Sequence, residues 1–225
     1  NLERMHVDTG YAVLHLFCSP EYERQQVDLA DLRAAVATAE ASGTQVVTAA
    51  LFGHKADMAF MLLGPDTAPL RAFQVAVQQA GLAIDDSYLS ITEVSEYAAG
   101  LPEHMVQTRL YPQLPPPGKP AFCFYPMSKR RDGHSNWYAA PYDKRLAMMH
   151  EHGSSGRKFA GQVLQLITGS TGLDAYEWGV TLFGESLQTI KDVVYTLRFD
   201  EASALYGEFG DFYVGELAYL DQIFA

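Results

Sequence analysis

Tyr125, Met127 and Lys129 occupy alternate positions in Ala121-Phe122-Cys123-Phe124-Tyr125-Pro126-Met127-Ser128-Lys129. On a strand these three share one face, and Phe122 and Phe124 the other. A phenol and an ammonium placed this way could both face one ligand. The blander reading is a packed Tyr whose hydroxyl reaches water, beside a surface Lys. Pro126 cannot donate to a ladder, so an edge or a bulge is expected there.

His152 lies in Met148-Met149-His150-Glu151-His152-Gly153. A helix from Pro141, ended by Gly153, puts Met148 and Met149 on the side of His152. A His at a helix C-terminus is often only a cation facing the dipole. Behind a methionine-lined surface it could instead be a neutral imidazole ligand, the form that binds iron. No HExxH or second ligand at metal spacing accompanies it, which weakens a bare zinc or non-haem iron site. A single axial His suits a haem, whose ring supplies four nitrogens. His150 should be solvated.

Gln165 shares a strand face with Val163 and Ile167, where an amide needs a partner: protein, water or ligand. Trp178 alternates with Tyr176 and Val180, by default core packing. Arg198 and Ser203 flank Asp200 and Glu201, by default a surface ion pair worth little. Gly169-Ser170-Thr171-Gly172 lacks the Lys of a phosphate loop, and a strand follows it. Cys18 and Cys123 sit in apolar runs without CxxC partners, and read as buried reduced thiols.

The elements that must position these groups come in a repeated order. Residues 1–98 read strand, helix, strand, strand, helix, strand: Gly10–Cys18; a helix capped by Asp28 and ended at Gly43; Thr44–Phe52; Ala56–Leu63; a helix after Pro69; Ile84–Val94. Residues 99–120, rich in Pro, read as a linker or stiff strap. Residues 121–225 repeat the order, with strands at Ala121–Met127, Lys158–Thr168, Tyr176–Phe183 and Phe209–Val214, and helices at Pro141–His152 and after Ser186. Two tandem βαββαβ units predict an α+β chain of two ferredoxin-like halves, joined as a dimeric α/β barrel.

The bulk numbers set bounds. A composition of 48% hydrophobic and 19% charged residues is that of an ordinary folded domain. No apolar run reaches the roughly 18 residues of a membrane span. No signal peptide is visible at Asn1, so a cytoplasmic location is expected. A net charge of −11 argues against nucleic acid and anionic lipid. The basic residues nonetheless concentrate between Lys129 and Lys158, where a small anion could be drawn.

Taken as a string, the chain resembles the coproheme decarboxylases, the haem-b-forming branch of the chlorite dismutase superfamily. The segments that carry the resemblance are Tyr125 to Arg130, Asn136-Trp137-Tyr138, Met149 through Gly153 to Arg157, Ile167 to Ser170, Glu177 to Phe183 and Arg198 to Glu201. It implies a homopentamer that converts iron coproporphyrin III to haem b with hydrogen peroxide, in contact with the ferrochelatase that inserts the iron. By position, His152 would be the axial iron ligand, Tyr125 the radical that attacks a propionate, and Lys129 its neighbour holding that propionate. Met127, Trp137 and Trp178 would line the porphyrin. Arg109, Arg198 and Ser203 would anchor propionates. Gln165 stands where chlorite dismutases carry an Arg, which argues against chlorite dismutation. The distal His of actinobacterial decarboxylases has no counterpart; His104 and His134 read as solvated loop residues.

Other readings remain open: a haem carrier or sensor that does not need Tyr125, a general haem peroxidase, and a barrel protein with no cofactor. For the proximal partner of His152, Glu201 and Glu177 are the candidates.

Overall fold

A computed structural model describes residues 5–21 and 26–224. Asn1 to Arg4, where the reading of the chain start falls, lie outside the described residues. The N-terminal half runs β1 (Ala12–Pro20), α1 (Leu29–Ala41), β2 (Gln45–Leu51), β3 (Met58–Gly64), α2 (Thr67–Gln79) and β4 (Leu82–Thr92). Local chemistry explains the boundaries. Asp28 accepts the backbone N–H groups of Ala30 and Asp31 to open α1. Pro69 falls in the first turn of α2, where its missing N–H costs nothing.

The C-terminal half runs β5 (Ala121–Lys129), a small hairpin of β6 (Arg131–Asp132) and β7 (Ser135–Asn136), then α4 (Tyr142–Arg157) and β8 (Val163–Gly169). β9 (Trp178–Gly184), α5 (Leu187–Leu197), α6 (Glu201–Tyr206), β10 (Gly207–Phe209), β11 (Tyr213–Leu217) and α7 (Leu220–Ile223) complete it. The first half ends in a 3-10 turn at Glu96–Ala98, and α3 (Glu103–Leu110) lies within the stretch read as a linker.

The antiparallel order β2-β3-β1-β4 in the first half is matched by β11-β5-β9-β8 in the second. These are two ferredoxin-like units in tandem. β4 joins β8 at Ile91–Gly169 and Thr92–Thr168, and β11 joins β2 at Gly215–Leu51 through Leu217–Ala49. The two seams close the sheet into a barrel. β10 takes the far end of the β5 edge that β11 leaves free. Pro126 falls in the gap between those two partners, where the Gly210 N–H donates to the Pro126 carbonyl at 2.9 Å.

β1 and β3 are covered on both faces. On β1, Val13 and Phe17 fill the barrel with Met61, Leu63, Phe122, Phe124 and Phe183. Leu14, Leu16 and Cys18 pack outward under α1 and α2 with Leu32, Phe73 and Val77. That is why β1 is apolar on both faces, with only His15 among residues 12–18 interrupting the run. On β5 the parity holds as expected: Phe122 and Phe124 face the barrel, while Tyr125 and Met127 face the helices beside α5.

Several boundaries differ from the sequence reading. α4 passes Gly153 and runs to Arg157. β8 begins at Val163, because Lys158 to Gln162 form turns after the helix. The expected strand at Phe209–Val214 is two strands with a break at residues 210–212.

Candidate functional site

The two halves share a topology but cover their sheets differently. α1 packs on β2 and α2, burying Leu32, Ala35 and Ala39. Its counterpart α4 is longer yet buries only Met148, and its main neighbours are α6, α5 and the turn at residues 96–98. α4 therefore stands off the sheet it would be expected to cover. Beneath it, Ile167 of β8 is 40% exposed, and the Gln165 amide on the same face has no hydrogen-bond partner among the described residues.

His152 projects from α4. Its Nδ1 lies 2.9 Å from Oδ2 of Asp200 and 3.4 Å from the Ser203 hydroxyl. Asp200 caps α6 by accepting the Ser203 N–H at 2.9 Å, and is only 2% exposed. Burial pushes the Asp200 carboxyl up, but the hydrogen bonds and charge of His152 and the bonds from Ser203 outweigh it and hold it below the usual range. With Nδ1 donating to Asp200, the lone pair of Nε2 is left for a metal. The default reading of Asp200 as a surface ion-pair partner is corrected: its carboxylate is buried and fixes the imidazole. Neither Glu201 nor Glu177 takes this role. Glu201 pairs with Lys144 at 3.5 Å, and Glu177 accepts the backbone N–H of Lys129 at 2.9 Å.

Lys129, 6% exposed, is no surface residue. Its Nζ donates to the Ala202 carbonyl at 2.8 Å and sits 4.8 Å from the Trp137 ring centroid. Burial pushes its ammonium down to about 8, against the opposing pull of Asp200 and Glu177. Lys129, Trp137, Ala202, Ser203, Asp200 and His152 thus form one connected cluster, closed by Met148 and Tyr206. Tyr97 reaches into it from the other half, 6.1 Å from Trp137.

One face of the sheet carries Tyr125, Met127, Gln165 and Trp178, since Met127 pairs with Trp178 and Gln165 with Leu182. The Trp178 indole donates to Glu93 at 3.2 Å. Tyr125 is 4% exposed, stacked on Phe212 at 4.4 Å and tilted against Phe209 at 5.9 Å. Burial raises its phenol well above the usual value. No hydrogen bond or ring contact joins Tyr125 to His152: His152 sits with Asp200 and Ser203, and Tyr125 lies under Phe212 and Phe209.

Two expected anchors, Arg109 and Arg198, have these surroundings. Arg109 lies exposed in the last turn of α3. The Arg198 guanidinium lies 3.5 Å from the Phe209 ring centroid. His104 sits exposed on α3 rather than in a loop, and His134 and His150 are also exposed. Asp200, Phe209, Phe212, Tyr97 and Glu93 were not anticipated. Only Asp200 had a local signal, an N-cap Asp three residues before Ser203.

Among the described residues, no group of three or more His, Cys, Asp or Glu side chains could hold a metal ion. No helix is long and apolar enough to cross a membrane. A single anchored imidazole suits a group that brings its own equatorial ligands. A single anchored imidazole, a methionine and aromatic lining, and an uncovered sheet face below the helix all fit a flat porphyrin.

The family model described as chlorite dismutase matches residues 25–218. A structure described as a novel heme-binding protein from Thermus thermophilus is 35% identical, with 96% of each chain covered and a TM-score of 0.83. A mutant chlorite dismutase from Candidatus Nitrospira defluvii is 20% identical, with 96% of this chain and 95% of that one covered and a TM-score of 0.75. The chain belongs to the chlorite dismutase family.

Proposed function

We propose that this chain converts iron coproporphyrin III to haem b by two peroxide-dependent oxidative decarboxylations, through a three-propionate intermediate. The observation that carries the reading is the His152 imidazole, oriented by a buried carboxylate on a helix that leaves its sheet uncovered. The sheet face that carries Tyr125, Met127, Gln165 and Trp178 supports it. The heme-binding description of the Thermus protein supports a porphyrin ligand.

The bound iron porphyrin and hydrogen peroxide supply the oxidising equivalents. For each propionate, one peroxide and one proton enter; a vinyl group, carbon dioxide and two waters leave. His152 holds the iron through Nε2, and Asp200 fixes the ring so that Nε2 keeps its aim. Tyr125, once its phenolic hydrogen is withdrawn, takes a hydrogen atom from the propionate side chain. Lys129 stands on the same strand face, where its ammonium can hold the propionate and return a proton. Gln165 is a neutral amide with no charge to retain a chlorine oxyanion.

A second reading, a haem carrier or sensor, is favoured by the stacking of Phe212 over Tyr125, since a carrier needs no accessible phenol. Titrating the chain with ferric coproporphyrin III, adding peroxide and weighing the porphyrin separates the two. The decarboxylase yields haem b lacking two carboxyls. A Soret shift with intact substrate supports the carrier, and no Soret shift overturns both.

A further inference from the structure

The residues that cover Tyr125 are more than packing. β10 and β11 pair with the same edge of β5, and residues 210–212 between them lie beside the phenol. Phe212 is nearly parallel to the Tyr125 ring, at 4.4 Å and 22°, and Phe209 meets it at 5.9 Å and 58°. The Gly210 N–H donates to the Pro126 carbonyl, and Lys55 Nζ donates to the Phe212 carbonyl at 2.6 Å. A Cβ at Gly207 would strike the Phe209 ring, and one at Gly210 would strike Pro126 and Tyr176, so both positions need glycine for this approach. Arg198 presses on Phe209, 3.5 Å from its centroid.

The chemistry of this cover is selective. Phe has no ionisable hydrogen and resists one-electron oxidation far better than Tyr or Trp. The remaining neighbours of Tyr125 include Val180, Leu182, Val193 and Leu197, which are equally inert. Cys123 shares the cluster, but burial pushes its thiol up to about 12, which leaves no readily oxidised thiolate.

We infer that Phe209 and Phe212, braced by Arg198, insulate the Tyr125 radical from outside reductants and reserve it for the bound propionate. The inference rests on the role given to Tyr125 above. It makes the two Phe residues and Arg198 positioning residues, and gives Arg198 a role other than propionate anchor. Without the cover, a soluble reductant such as ascorbate would give one electron to the phenoxyl radical. With a proton this restores the phenol, leaves an ascorbyl radical and wastes the peroxide.

The test is a single turnover of the coproheme-loaded chain with peroxide at graded ascorbate. Carboxyl loss is read by mass and the tyrosyl signal by electron paramagnetic resonance. Phe212→Leu and Phe209→Leu keep apolar volume while removing the ring. Both should lose product at lower ascorbate than wild type and show a shorter-lived radical signal, with the Soret titration unchanged. Arg198→Lys, which removes only the planar stack, should shift the same way. If Arg198 is an anchor instead, coproheme binding weakens and ascorbate sensitivity stays put, which overturns its part. Identical ascorbate dependence in wild type and both Leu variants overturns the cover alone. A wild type that decarboxylates nothing overturns both the cover and the role of Tyr125.

Discussion

An imidazole can ligate iron well only if its ring is aimed and its proton sits on the other nitrogen. Here the Asp200 carboxylate does both, at 2.9 Å from Nδ1. Replacing it by Asn keeps the shape and removes the charge. Outer-shell changes of this kind cost roughly 10–100-fold in affinity or activity. Asp200→Asn should therefore weaken coproheme binding on that scale in an absorbance titration; unchanged affinity would show that the carboxylate does not orient the ligand. Lys129 makes a pH prediction. Burial lowers its ammonium to about 8 in the free protein, so the charge that attracts propionate is present below that pH and lost above it. kcat/KM for coproheme should fall as pH rises through about 8, and Lys129→Met should lack that limb. The Tyr125, Met127 and Lys129 face was legible from strand parity alone. Asp200 was not, because it meets His152 across 48 positions, a pairing no local pattern encodes.

At the scale of elements, the difference between α1 and α4 decides where a ligand goes. α1 seats an apolar stripe on its sheet; α4 has little to seat and instead leans on α6 and α5. Gly153 looked like a stop, but a glycine inside a helix costs only about 1 kcal/mol, which packing against α6 outweighs. A Cβ at Gly156 would meet nothing within 4 Å. Gly156→Ala should stabilise the chain by about 0.5–1 kcal/mol, a rise of roughly 1–4 °C in Tm for a chain of this size. A fall in Tm would mean that the last turn of α4 is not helical in solution. The Pro-rich stretch hid α3 because proline spacing signals interruption, and the short helix lies between the prolines. α6 was hidden because its six residues are too few to show a period.

For the whole molecule, the tandem βαββαβ order was legible because each half repeats the same switch between period-2 and helical patterning. The two seams were not, since Ile91–Gly169 and Leu217–Ala49 join strands far apart in sequence. Closure buries His15 completely inside the barrel, with Nε2 3.0 Å from the Thr181 hydroxyl. Burial pushes this imidazole from 6.5 down to about 3. Between those values the unfolded chain binds a proton that the folded one refuses, so stability falls on acidification through this window. Tm should drop as pH falls from 6.5 toward about 3, and His15→Gln should remove one proton's share of that slope. An equal slope in both proteins would place His15 in contact with water. If the barrel serves to hold two walls around one porphyrin, the most direct test is the mass of the porphyrin recovered after peroxide from coproheme-loaded wild type and Tyr125→Phe. Wild type should return haem b with two carboxyls gone, and the variant should return intact substrate that it still binds. Identical product from the two proteins, or untouched coproheme from wild type, would contradict it.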